Sequence, residues 1–176
     1  KEGFAIGKTH YYGGIKKYQW FNLPLAVHGT VVKTDGSTVK VRIGEDPSDP
    51  VVLITDLLPH LDRRDDPVQK LFKGEDLNVI LASDTLGQKD EKEAVKKALL
   101  TLLNEKYGIT EEDLVSAEIE LVPALQPKDV GIDASMVGAY GHDDRVCAYT
   151  GFTALLETNN PVRSAGLVLL DREEIG

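Results

Sequence analysis

The sequence predicts an α/β protein, and three observations predict it. Residues 20–55 carry the two-residue alternation of strands, and residues 91–107 carry a single apolar stripe at helical spacing. Near the C-terminus the apolar run Ala165-Gly-Leu-Val-Leu-Leu170 leads straight into Asp171-Arg-Glu-Glu174. A buried strand that ends in carboxylates is where an open α/β sheet places reactive groups.

The first elements are strands. His28-Gly-Thr-Val-Val-Lys-Thr34 meets Ser37-Thr-Val-Lys-Val-Arg-Ile43 across Asp35-Gly36, a pair that supplies the positive φ angles of a tight hairpin turn. Val39, Val41 and Ile43 alternate with Lys40 and Arg42, so one face is buried and one is wet. Gly44 to Pro50 is a loop, and Val51-Val-Leu-Ile54 is a third strand. Leu57 to Asp66, with Pro59 and the charge run Asp62-Arg-Arg-Asp-Asp66, reads as an irregular arm. Residues 75–82 form a further strand.

The clearest helix follows. Asp90 is its N-cap, Gly108 its C-cap, and Ala94, Val95, Ala98, Leu99, Leu102 and Leu103 its apolar stripe. Thr110-Glu-Glu-Asp113 opens a short second helix, and Glu118-Ile-Glu-Leu-Val122 alternates as a strand. Composition changes over Pro123 to Asp133, the candidate domain boundary. Residues 143–157 are helical up to Asn159-Asn-Pro161, and residues 165–170 form the last strand.

Composition sets outer bounds. A chain of 176 residues can bury a real core, in one domain or one and a half. The net charge of −9 and the lack of a basic stripe argue against nucleic acid as a partner. No apolar run approaches the ~18 residues of a membrane span. The one cysteine, Cys147, excludes an internal disulfide and fits a reducing compartment such as the cytoplasm. In a helix it reads as buried packing rather than a nucleophile. The chain opens at Lys1 without an initiator Met or a signal segment and closes at Gly176 within a motif, so it is expected to be part of a larger protein.

Two constellations can carry chemistry. Asp143-Asp-Arg145 stands at the start of an apolar helix behind Gly138 and Gly141. It reads either as a cap that compensates the helix dipole or as a carboxylate metal ligand. Asp171, Glu173 and Glu174 read either as a solvated turn or as a metal ligand beside a proton-transfer group. Together the five carboxylates suit Mg or Mn. A dinuclear zinc site would also use carboxylates, with imidazoles. His10, His28, His60 and His142 are scattered and offer no closely spaced pair. His60 sits in the arm, as a loop residue or as a group reaching a site.

Four stretches, in this order, resemble the family of aspartyl aminopeptidase and vacuolar aminopeptidase I, zinc metallopeptidases, and most closely its clostridial-type bacterial branch. They are Lys8-Thr-His-Tyr-Tyr-Gly-Gly-Ile-Lys-Lys-Tyr-Gln-Trp20, Leu57-Leu-Pro-His-Leu-Asp-Arg63, Ala139-Tyr-Gly-His-Asp-Asp-Arg-Val-Cys-Ala-Tyr-Thr150 and Asp171-Arg-Glu-Glu-Ile-Gly176. The resemblance implies a partial catalytic α/β zinc-peptidase domain with an inserted β-rich dimerisation domain. Residues 1–20 would be a catalytic-domain segment, 21–125 the inserted oligomerisation domain, and 126–176 an incomplete return to the catalytic domain.

The same resemblance implies roles. Asp144 would bridge two zinc ions, Glu174 would bind one of them, and Glu173 would be the general base. The choice of Asp144 over Asp143 is a matter of alignment. His60 would reach a neighbouring subunit's active site and help bind substrate. The implied function is removal of single residues from peptide N-termini, by a cytoplasmic homo-oligomer of twelve subunits. The family's upstream His-x-Asp motif and downstream Asp and His ligands have no counterpart here. This piece alone is therefore expected to bind zinc poorly and to hydrolyse nothing. A stand-alone oligomerisation or binding module without catalysis, and a non-peptidase metal hydrolase, are the rival readings.

Overall fold

The computed structural model describes residues 3–87 and 93–171, with strands β1 (Ala5–Gly7), β2 (Leu25–Val32), β3 (Thr38–Ile43), β4 (Val79–Ala82), β5 (Glu118–Pro123), β6 (Lys128–Val130) and β7 (Met136–Gly138). Its helices are the single turn α1 (Val68–Leu71), α2 (Ala94–Tyr107) and α3 (His142–Glu157). The chain divides into two compact units, Lys1–Ala124 and Leu125–Gly176.

In the first unit the alternating pattern produces an antiparallel sheet in the order β3-β2-β5. Its register sets Ile119, Gly29 and Val41 in one row and Leu121, Val27 and Ile43 in the next, giving one apolar face. The opposite face carries Glu118, Thr30 and Lys40 in one row and Glu120, His28 and Arg42 in another. Side chains alternate across a pleated strand, so this register separates the two sets cleanly.

The hairpin turn differs from the expected two-residue form. Gly36 N–H donates to Lys33 O (2.9 Å) and Lys33 N–H to Ser37 O (2.8 Å), which leaves a three-residue loop, Thr34-Asp35-Gly36. Gly36 takes φ +83°, whereas Asp35 is not among the positive-φ residues. The Asp35 carboxylate instead accepts from Ser37 N–H (2.8 Å) and Ser37 Oγ (2.6 Å), which stabilises a turn with one left-handed residue.

The expected strand at 51–54 is three single bridges. Val52 pairs with Leu25, Leu53 with Ile80 and Ile54 with Phe21. The segment changes partner at each residue, so no ladder builds and it joins strands on either side. β1 pairs antiparallel with β4, and α2 lies beside both. Leu25, Ile54, Leu77 and Val79 form one buried cluster, against which Trp20 and Phe21 pack. Val31, Val41 and Ile109 form a second under the apolar sheet face.

Within α2 the buried face is Ala94, Val95 and Ala98, while Leu102 is 47% exposed. The stripe is thus narrower than its spacing suggests, because the surface under the helix is a short two-stranded sheet. Gly108 caps the helix, its N–H donating to Asn104 O (2.7 Å). Asp90, the expected N-cap, lies outside the described residues. After Gly108 the short second helix is 3-10, Glu112–Ser116.

The second unit contains the β6–β7 hairpin and α3. The sequence did not signal either strand, since each has three residues. The expected strand at 165–170 has no ladder among the described residues. Val168, Leu169 and Leu170 there are 78%, 62% and 77% exposed, and an apolar run is a strand only when a neighbour accepts its backbone hydrogen bonds. Cys147, expected to be buried, is exposed on α3. The returning chain packs Leu167 near Gly151 and leaves the Cys147 side open.

Candidate metal site and substrate-contacting loop

The start of α3 carries Asp143-Asp-Arg145, which the sequence offers either as a helix cap or as a metal ligand. β7 ends at Gly138, and the chain turns through Gly141 at φ +82° before the helix. Arg145 folds back over Gly141, with its Nη1 donating to Tyr140 O (3.4 Å) and Gly141 O (3.3 Å). The positive φ favours glycine at 141, and a Cβ there would push the Arg145 guanidinium aside. His142 Nε2 lies 3.0 Å from Val137 O, and donates to it in the tautomer that carries the proton there.

Between these two anchored side chains stand Asp143 and Asp144. Their φ/ψ values, −85°/114° and −113°/17°, are not helical, and the peptide joining them is cis. Both residues are exposed. Gly141, the residue before the whole helical span, has no side chain to cap it, and the regular helix begins only after the kink at Asp143 and Asp144. Both stand in the first turn of α3, where a carboxylate compensates the helix dipole, and both are exposed, so the dipole reading and the ligand reading remain side by side.

Glu173 and Glu174 lie outside the described residues. Among the described residues no group of three or more His, Cys, Asp and Glu side chains is arranged to hold a metal ion. A zinc site takes three or four protein donors. Asp144 fits one of those positions chemically, but the described residues do not complete a site.

The histidines are placed as scattered residues. His28 Nε2 pairs with Glu45 (3.1 Å), and the His10 ring stacks on Tyr11 at 5.8 Å between centroids. His60 lies in a turn in the first unit and is exposed. Leu61 N–H and Asp62 N–H donate to Leu58 O at 2.9 and 3.1 Å to form that turn.

One feature of this arm was not visible in the sequence. Arg64 Nη2 reaches Asp56 (2.8 Å) and Asp62 (2.5 Å), and its Nε donates to Asp62 (2.7 Å). The Arg64 side chain holds the Asp62 carboxyl down at about 2, and in return the two carboxylates, Asp62 first, raise the guanidinium pKa. In the sequence the charge run reads only as an irregular arm. Its one available signal was the Asp-x-Arg spacing of Asp62 and Arg64.

The family model described as aminopeptidase I zinc metalloprotease (M18) matches residues 1–176. A curated relative from Thermotoga neapolitana, named "Probable M18 family aminopeptidase 1", is 56% identical over 175 residues, covering 99% of this chain and 38% of its own length. A relative of the same name from Clostridium acetobutylicum is 51% identical over 98% of this chain and 37% of its own. The solved structure of an M18-family aminopeptidase from Thermotoga maritima superposes with a TM-score of 0.85 at 55% identity, over 90% of this chain and 35% of that one. The chain thus spans under two-fifths of the length of the curated relatives it matches.

Proposed function

We infer that this chain, which belongs to the aminopeptidase I zinc metalloprotease (M18) family, forms part of a dinuclear zinc aminopeptidase that removes single residues from peptide N-termini. The observation that carries the inference is the family match along all 176 residues. Support at the site comes from Asp143 and Asp144, two exposed carboxylates at the start of α3.

In this reading Asp144 and Glu174 would be among the residues that hold the zinc. Bound zinc supplies Lewis acidity toward the scissile carbonyl and toward water. Glu173 takes a proton from the attacking water and delivers it to the leaving amine. Arg145 and His142, each tied to the backbone of 137–141, hold the two aspartates at a fixed turn. His60 contributes to substrate binding from a neighbouring subunit, which makes a homo-oligomer, in the form of twelve subunits, part of the proposal. Residues 21–125 are its inserted oligomerisation domain, with which residues 1–20 share one compact unit through the β1–β4 pair. The boundary between compact units at Ala124–Leu125 supports a return to the catalytic domain at 126.

The test uses the complete polypeptide that contains these residues, loaded with zinc and given peptides with free N-termini. Release of single N-terminal amino acids is expected. Glu173→Gln is expected to lower kcat by ~10²–10⁴, the usual contribution of a general base, while zinc content stays the same. Asp144→Ala and Glu174→Ala are expected to lower zinc content as well. Unchanged turnover in Glu173→Gln would remove the general-base role.

A further inference from the structure

We propose that Arg64 is a positioning residue for His60, fixing the loop that presents the imidazole. The inference rests on the assignment of His60 to substrate binding.

The loop from Asp56 to Arg64 has His60 at its centre. Its two ends are joined by side chains, because Arg64 Nη2 bonds Asp56 Oδ1 at 2.8 Å. The same guanidinium takes both oxygens of Asp62, through Nε at 2.7 Å and Nη2 at 2.5 Å. Each aspartate also fixes backbone. Asp56 Oδ1 accepts from Leu57 N–H (2.8 Å), and Asp62 Oδ1 accepts from Arg64 N–H (3.1 Å).

Apolar packing does not shape this loop. Leu57, Leu58 and Leu61 are 55%, 53% and 63% exposed. The conformation around His60 therefore depends on the polar clamp and the Leu58 turn. The clamp in turn is anchored. The Arg64 guanidinium lies over the Phe72 ring at 5.4 Å, and Phe72 meets Phe21 at 4.6 Å between centroids. Phe21 packs on the buried cluster of Leu25, Ile54, Leu77 and Val79. A planar fork can satisfy two carboxylates and an aromatic face at once, which an ammonium group cannot. Exposed ion pairs contribute little to stability, so a three-member cluster at the base of an otherwise unpacked loop points to orientation as its role.

A double-mutant cycle on the zinc-loaded complete polypeptide tests this. His60→Ala and Arg64→Met are each expected to raise KM about tenfold, with kcat and zinc content little changed. In the His60→Ala background, Arg64→Met is expected to cost nothing further, because the group it positions is gone. Arg64→Lys should fall between Met and wild type. If His60→Ala impairs the enzyme and Arg64→Met does not, or if the two losses add, the positioning role is overturned while that of His60 stands. If His60→Ala is fully active, the substrate role of His60 fails and the positioning role with it. Should Arg64→Met not fold, Asp56→Asn weakens the same clamp. Its smaller rise in KM must likewise vanish in the His60→Ala background.

Discussion

Substituting Gly29 by Ala sets two effects against each other, and the structure decides which wins. Glycine inside a strand is the weaker choice, and Ala ordinarily recovers ~0.5–1 kcal/mol. Position 29 is a non-left-handed strand residue directly opposite Ile119, so backbone conformation offers no objection. Space does. A Cβ there would sit 2.5 Å from Ile119 Cδ1 and 2.6 Å from the Glu118 carbonyl oxygen. The first neighbour is the end of a flexible side chain, but the second is ladder backbone and cannot give way without disturbing the β2–β5 pairing. Overpacking of this kind costs ~1–3 kcal/mol. With one rigid contact the upper half of that range applies, and the net change is a loss of about 1–2.5 kcal/mol. At a urea m-value near ~2 kcal/mol/M, the midpoint should fall by about 0.5–1.25 M. Urea unfolding followed by circular dichroism measures it. Ile119→Ala should relieve part of the loss, so that the double variant is less destabilised than the two singles combined. A Gly29→Ala protein with an unchanged or higher midpoint would show that the cross-strand contact is soft and that the steric reasoning fails.

Other consequences can be measured on the same material. Asp113 is 2% exposed and its carboxyl is held at about 2, first by Thr110 N–H, then by Thr34 N–H and the Thr110 hydroxyl. Its folded pKa lies below the ~3.9 of an unfolded aspartate, so its stabilisation is complete above about pH 4 and is lost as pH falls toward 2. Asp113→Asn should flatten that acid limb in thermal unfolding and lower the melting point at neutral pH; an unaltered limb would contradict it. The Tyr107 hydroxyl donates to Arg42 O (2.6 Å) and accepts from Arg42 N–H (3.2 Å) on the outer edge of β3. Tyr107→Phe should cost roughly 1 kcal/mol and speed hydrogen exchange at Arg42, and equal exchange in both proteins would refute it. Gly141→Ala should displace Arg145 from its two carbonyls and, in the zinc-loaded complete polypeptide, lower metal content through Asp144, read by metal analysis.

The elements that the sequence made legible are those whose signal is local. The β2–β3 pair follows from alternation plus one glycine, and α2 follows from a stripe closed by Gly108. The charged arm was legible as irregular, since Pro59 and adjacent like charges oppose both regular structures. Asp143-Asp-Arg145 was legible as a constellation because its glycines and carboxylates are contiguous. The Asp56–Arg64 clamp was not, because eight residues separate its ends and only the folded turn brings them together.

By itself the sequence determined the β2–β3 pair, the helix α2, the sheet face that is apolar and the family pattern that the residues spell in order. Each of these depends on neighbours along the chain, where spacing alone sets side-chain direction. Tertiary structure decided how the pieces are used. It turned residues 51–54 from a strand into single bridges, left 165–170 without a ladder and left Cys147 exposed. In each case the outcome depends on a partner from elsewhere in the chain, and an apolar or β-branched segment states a need for such a partner without naming it. The two aspartates at the start of α3 show the same division, for their order came from the sequence and their exposed, non-helical setting came from the turn that Gly141, His142 and Arg145 build.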